Sequence, residues 1–207
     1  MIKNIIFDMG CVLIYWDPDT IIARLGLSSE DSSLLRREVF SCQEWVSMDH
    51  GIMSQSEGHR RICSRLPERL HAAAAACVFD WWKPPLRPVS GMEALVRECR
   101  DLGYGIYLLS NATSTLHQYF PRIPGSECFD GKIVSADLKL LKPQREIYEA
   151  LLSTYCLRPE ECFFIDDSPL NIDGAWAVGI RGAVFFDDMV RLRGELREAG
   201  VPVSPSA

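Results

Sequence analysis

The sequence predicts an α/β fold, a mainly parallel sheet with an all-helical segment inserted after its first strand. Three observations carry this. Short apolar runs resembling strands buried on both faces occur at Lys3 to Phe7, Gly105 to Leu109, Cys162 to Ile165 and Gly182 to Phe186. From about Leu86 onward these strands alternate with helical patterns, the βαβα order that implies a parallel sheet covered on both faces. Between about Asp17 and Pro85 the chain has helical stretches and little strand-like alternation.

Taken in order, the first strand ends at Phe7 and delivers Asp8 into the Gly10 turn. The inserted segment holds helical stretches at Ser29 to Phe40 and Leu66 to Phe79, the latter including the helix-favouring run Ala72 to Ala76. Met92, Leu95, Val96, Cys99 and Leu102 recur at helical spacing, and Gly103 stands where a C-terminal cap belongs. Pro143 suits the first turn of a helix through Ile147, Leu151 and Leu152, and Ser168-Pro169 opens another through Ile172, Ala175 and Trp176. A charged helix near Met189 to Ala199 closes the pattern, and the tail Val201 to Ala207 reads as loosely ordered. The first strand precedes the helical segment and the others follow it. The expected division is therefore a core of 1–16 and 86–207 with an insertion of 17–85.

Composition bounds the function. The 207 residues suffice for one sizeable core with an inserted subdomain, and 47% hydrophobic with 24% charged residues is ordinary for a globular chain. A net charge of −6 without a basic block argues against nucleic acid or an anionic membrane as partner. The eight cysteines form no Cys-x-x-Cys pair, and the N-terminus lacks a secretory signal, so free thiols in a reducing cytoplasm are expected. No apolar run approaches the roughly 20 residues that span a bilayer.

Four strand ends carry polar groups: Asp8, Ser110-Asn111, Lys142 before Pro143, and Asp166-Asp167. Taken singly, each has a bland reading: a turn cap at Asp8, a solvated lysine at Lys142, an N-cap at Asp166-Asp167, and a strand-to-helix cap at Asn111. Together, and in this order, Phe7-Asp8-Met9-Gly10-Cys11-Val12-Leu13, Leu109-Ser110-Asn111, Lys142-Pro143 and Phe164-Ile165-Asp166-Asp167 resemble the four motifs of the haloacid dehalogenase-like hydrolases. The likeness is to the sugar-phosphate phosphatase type with an Asp-x-Gly-x-Val opening.

That resemblance implies a Rossmann-like three-layer parallel sheet core with an inserted α-helical cap that closes over the site. It also implies a nucleophilic Asp8 attacking phosphorus, Lys142 pairing with Asp8 and a phosphate oxygen, and Ser110 and Asn111 as phosphoryl donors. Acids crowding Asp8 would repel without a cation, and Mg2+ suits oxygen ligands. Asp8, the Gly10 carbonyl and Asp167 are the expected ligands, with Asp166 next or behind them and Asn171 orienting the carboxylates. The expected substrate is a small phosphorylated metabolite, such as a sugar phosphate, and the oligomeric state is left open. Tyr15, Trp16, Trp45, Trp81 and Trp82 are candidate pocket aromatics.

Gly10 stands where many phosphatases of the resembling family have a second Asp that protonates the leaving alcohol. Asp17 or water are the substitutes the sequence offers. Two further readings stay open: a metal-independent 2-haloacid dehalogenase using Asp8 on carbon, and a catalytically weak binding or regulatory protein that keeps the fold.

Overall fold

The computed structural model describes residues 1–205. Strand β1 (Asn4–Phe7) lies at the centre of a five-stranded, all-parallel sheet with β2 (Gly105–Ser110), β3 (Gly131–Val134), β4 (Cys162–Asp166) and β5 (Arg181–Val184), in the order β3-β2-β1-β4-β5. Phe7 stands beside Leu108 on one side and Ile165 on the other, so Asp8, Ser110 and Asp166 all emerge at one carboxyl edge. The chain leaves β1 toward opposite sides for β2 and β4. Such a switch point opens a crevice where ligands bind in open α/β sheets.

The central strands are apolar at successive positions because both of their faces are covered. Ile5 and Phe7 join Ile106, Leu108, Phe163 and Ile165 under α6 (Met92–Asp101) and α11 (Met189–Glu198). Ile6, Leu109 and Phe164 face α9 (Arg145–Thr154) and α10 (Pro169–Trp176). Two short helices, α7 (Leu116–Tyr119) and α8 (Ser135–Leu138), follow β2 and β3. Sequence reasoning singles out neither β3 nor α8. The strand is four residues with Gly and Lys in its first half, and its edge is completed by a side chain: the Tyr155 hydroxyl accepts from Lys132 N (2.8 Å) and donates to Lys132 O (3.0 Å). Helix α9 starts at Arg145 and not at Pro143, and β5 ends at Val184, two residues short of the expected Phe186.

Between β1 and α6 run α1 (Pro18–Ala23), α2 (Ser29–Leu35), α3 (Gln43–Asp49), α4 (Gln55–Cys63) and α5 (His71–Ala75). Helices α2 and α5 each run on into a wide π turn, Arg36–Phe40 and Ala76–Asp80, which accounts for the longer helical stretches expected there. The segment has its own core of Ile22, Leu35, Val39, Ile62, Leu70, Cys77 and Val78. Its two connections run side by side, Tyr15 N donating to Arg87 O (2.8 Å) and Val89 N to Leu13 O (3.0 Å). Its far side reaches the sheet edge at Gly51, which has a φ of +72°; a Cβ there would lie 2.1 Å from the Ala136 carbonyl oxygen, so this approach requires glycine.

The expectation of a loose tail is corrected for residues 201–205. Val201 and Val203 are buried, and Ser204 donates from its N–H (2.6 Å) and hydroxyl (2.7 Å) to Glu98 Oε1. The buried Arg193 guanidinium bonds both Glu98 and the Ser204 carbonyl, so charge pairing and two buried valines hold the segment. Ser206 and Ala207 lie outside the described residues. All eight cysteines are free; three are buried, four half-buried, and Cys156 is exposed. No helix among the described residues is long and apolar enough to cross a membrane.

Candidate active site

The turn after β1 is wound tightly around one carbonyl. Met9 O accepts from Leu13 N (2.9 Å) and Ile14 N (3.1 Å), and Cys11 takes a left-handed φ of 56°. This fixes Asp8 at the strand edge, where it is 8% exposed. Lys142, 4% exposed, brings its ammonium to 2.8 Å from Asp8 Oδ1, 2.6 Å from Asp166 Oδ2 and 2.9 Å from the Leu109 carbonyl. The Asp8 contact is an ion pair without hydrogen-bond alignment, which leaves Oδ1 a buried oxygen with no donor.

Asp166 is fully buried and fully engaged. Its Oδ1 accepts from Ser168 N (2.8 Å) and Asn171 Nδ2 (2.9 Å) while its Oδ2 takes Lys142. Asn171 is thus bonded to the Asp166 carboxylate, and the Tyr148 hydroxyl donates to the Asn171 carbonyl at 2.7 Å. Asp167, next in the chain, turns outward and is exposed.

Oxygens of Asp8, Asp166 and Asp167 lie within 4.8 Å of one another. Mg2+ holds oxygens at about 2.0–2.1 Å in an octahedron, so its ligand oxygens stand roughly 3–4 Å apart and the cluster fits with little movement. Charge points the same way. Three carboxylates share a single ammonium, and the Asp8 oxygen has no hydrogen-bond donor. Burial, with Asp166 adding to it, pushes the Asp8 carboxyl up to about 7 against the pull of Lys142; burial and Asp166 also raise Asp167. Burial would pull the Lys142 ammonium down, but the two carboxylates prevail and hold it above its ordinary value.

Ser110, 1% exposed, and Asn111 line the cavity above Asp8. The Asn111 side chain also has a second partner. One of the two N–H bonds of its amide donates to Lys142 O (3.0 Å) and its oxygen accepts from Lys142 N (2.8 Å), so it seats the lysine's main chain and keeps one N–H to give. Asp17 is corrected: exposed, it caps α1 by accepting from Asp19 N and Thr20 N, and its carboxyl, bonded by the Thr20 hydroxyl, is held below the usual range. A group that sheds its proton so readily is a poor acid at neutral pH.

The cavity of about 180 Å³ is on the order of six water volumes. Its floor is Asp8, Gly10, Cys11, Ser110 and Asp167; its roof is Trp45, Met48, Asp49, Gln55, Val78 and Trp81 from the helical insertion, with Trp16 at the junction that leads into it. Trp16, Trp45 and Trp81 thus reach the cavity. Tyr15 bonds Asp187 in a neighbouring crevice (2.8 Å), and Trp82 stacks on Tyr119. Asp49 was not foreseen. It belongs to no motif, but its place as last residue of α3 was a signal, because a helix C-terminus disfavours a carboxylate.

Comparison with known proteins agrees with this geometry. Residues 2–179 match the haloacid dehalogenase-like hydrolase family, and the chain belongs to it. It is 28% identical over 199 residues to the sesquiterpene phosphatase astK of Aspergillus oryzae, covering 95% of each chain. It is 25% identical over 185 residues to the D-ribitol-5-phosphate phosphatase of Bacteroides thetaiotaomicron, covering 83% of this chain and 86% of that one. A HAD-family enzyme of B. thetaiotaomicron solved with magnesium and inorganic phosphate has a TM-score of 0.64 at 24% identity, covering 89% and 94% of the two chains. The L-2-haloacid dehalogenase of Xanthobacter autotrophicus has a similar TM-score, 0.66, at 15% identity over 99% and 85%. The fold alone therefore does not separate phosphatase from dehalogenase; the chain is a hydrolase of this family.

Proposed function

We propose that the protein is a magnesium-dependent phosphatase acting on the monophosphate of a small, largely apolar alcohol. The observation that carries this reading is the cluster of Asp8, Asp166 and Asp167 with one buried ammonium, Lys142, to serve all three. Asp8, Asp167 and the Gly10 carbonyl would hold the ion, with Asp166 behind them, spent on Lys142, Ser168 and Asn171. When bound, Mg2+ supplies charge neutralisation at the phosphoryl oxygens.

Asp8 attacks phosphorus and becomes an aspartyl-phosphate, which water then hydrolyses. Lys142 stabilises the charge on the transferring phosphoryl group, and Ser110 donates to one of its oxygens. Asn111 keeps Lys142 in place. Residues 17–85 form the cap that excludes water during transfer. A dehalogenase would attack carbon with no cation to offset the same three carboxylates, and this weighs against it.

The roof supports the apolar alcohol. Trp16, Trp45, Met48, Val78 and Trp81 contribute carbon surface, and Gln55 is partly engaged, donating one N–H to Val78 O (2.9 Å) and accepting from Thr115 Oγ1 (2.7 Å). Few hydrogen-bonding groups remain for the several hydroxyls of a sugar, and each one buried unpaired would cost about 1–3 kcal/mol. The test is phosphate release from a panel holding aryl, short-chain alkyl, prenyl and polyol phosphates, with Mg2+ or with EDTA, by wild type and Asp8→Asn. Turnover that needs Mg2+ and Asp8 and favours the apolar esters is expected. Halide release from a haloacid without phosphate release, or turnover indifferent to EDTA, would overturn the reading.

A further inference from the structure

We propose that Asp49, carried by α3 in the helical insertion, is the catalytic acid and base of this site, protonating the leaving alcohol and then deprotonating the attacking water. The inference rests on the phosphatase reading and supplies what that reading lacks, because Gly10 has no side chain. There is room for one: a Cβ at Gly10 would meet nothing closer than the Trp16 Cβ at 3.7 Å. The floor of the cavity thus has space for an acid but offers none outside the cation cluster.

Elimination among the titratable groups that share the cavity leads to Asp49. Asp8 and Asp167 are committed to the cation and to attack, and Cys11 and Tyr119 are thiol and phenol groups that burial makes still weaker acids. The Tyr119 hydroxyl also donates to Met9 Sδ (3.4 Å), and its titration is raised by the nearby charges of both Asp49 and Asp8, which places the ring within reach of the two carboxylates. Asp49 remains, lining the same cavity as Asp8 but carried by α3 of the helical insertion.

Its position is fixed against the phosphate-binding turn. Ser135 Oγ donates to the Asp49 carbonyl (2.5 Å) and accepts from Ala112 N (2.9 Å), so one hydroxyl ties the end of α3 to the residue after Ser110-Asn111. His50 Nε2 lies 3.0 Å from Lys139 O, and Gly51 presses its backbone on Ala136. Burial pushes the Asp49 carboxyl up to about 8, against the pull of the Trp45 side chain and the Thr113 main chain that approach it. A carboxyl with that value keeps its proton at neutral pH and can give it up, the condition for an acid that must also serve as base.

The steps balance. Asp8 Oδ forms a bond to phosphorus as the P–O bond to the alcohol breaks; the Asp49 proton goes to the departing oxygen, leaving a neutral alcohol and an Asp49 carboxylate. That carboxylate takes a proton from water as the water oxygen attacks the aspartyl-phosphate. Asp8 and protonated Asp49 are regenerated, and inorganic phosphate leaves.

The experiment compares wild type with Asp49→Asn on two esters, 4-nitrophenyl phosphate, whose phenolate leaves unaided, and a prenyl or short alkyl phosphate, whose alkoxide does not. General acids contribute about 10²–10⁴-fold, so the variant should lose about that much kcat/KM on the alkyl ester and only a few-fold on the nitrophenyl ester. In wild type alone, log kcat should depend little on the pKa of the leaving alcohol. Equal loss on both esters, or no loss on either, overturns the role of Asp49 and leaves the phosphatase standing; so does a steep leaving-group dependence in wild type. Wild type that releases phosphate from no ester in the presence of Mg2+ overturns both readings.

Discussion

Replacing Asp49 by Asn should stabilise the folded protein at alkaline pH, a result opposite to that expected for an ordinary buried polar residue. The Asp49 carboxyl is pushed by burial from an ordinary 3.8 to about 8 in the folded chain. A raised folded value means that the native state binds more protons than the unfolded state between those limits, so stability is present below about 4 and is lost as pH rises toward 8. From pH 5 to the folded value is about 3 pH units, and at 1.36 kcal/mol per unit the upper bound on the loss is roughly 4 kcal/mol. Asp49 is only half-buried as a residue, and cavity water screens it, so about 2 kcal/mol is the working figure. Asn keeps the shape and cannot ionise. Asp8 titrates in both proteins and cancels in the difference. The assay is urea unfolding in EDTA at pH 5 and pH 9, followed by tryptophan fluorescence, for which Trp45 beside the substituted residue is a local probe. The stability of Asp49→Asn relative to wild type should rise by about 2 kcal/mol between the two pH values. A difference that stays constant within about 0.5 kcal/mol would refute the buried, proton-holding carboxyl.

Lys142→Met should cost about 3–5 kcal/mol in unfolding free energy at pH 8, because it leaves Asp8 and Asp166 buried together without their cation; a urea midpoint unchanged from wild type would show that the pair is not buried as described. Gly10→Asp, placed in the Asp49→Asn background, puts a carboxyl into space that begins 3.7 Å from the Trp16 Cβ and should recover at least 10-fold of the lost alkyl-phosphate turnover by general acid catalysis. Turnover that stays at the single-variant level would show that an acid at position 10 cannot reach the leaving oxygen.

The sheet was legible because its physical demands are local. A strand covered on both faces must be apolar at successive residues, as at Ile5, Ile6 and Phe7 or Phe163, Phe164 and Ile165, and a polar residue ending such a run marks the edge. Asp8, Ser110 and Asp166 carried the site for the same reason, each at the end of its own strand, whereas Lys142, expected at a strand end, lies in the turn between α8 and α9 and was legible only through its Lys-Pro motif. What escaped depends on contacts distant in sequence. Strand β3 is held as much by the Tyr155 hydroxyl as by its own propensity, and the tail is held by Glu98 and Arg193 on two different helices. The tie between the Asn111 amide and Lys142 escaped because nothing in Ser110-Asn111 indicates that Lys142 will bring its main chain against it.

Asp49 shows why the catalytic core and the helical insertion have to be considered together. The core alone supplies a nucleophile and a cation cluster at the ends of strands whose register is fixed by the sheet, and an ammonium from the turn between α8 and α9. An acid at position 10 would make that core self-sufficient, and glycine there removes it. On the proposed reading the proton comes instead from the roof, so transfer to a poor leaving group requires the insertion to be seated. Ser135 is the contact that senses this, since its one hydroxyl bonds the Asp49 carbonyl and the Ala112 amide together. Closure then does more than exclude water: an open form would hold the phosphoryl group and lack the proton. On the same reading, a largely apolar roof with a single acid favours alcohols that need few other hydrogen bonds, which would couple specificity and proton transfer in one surface.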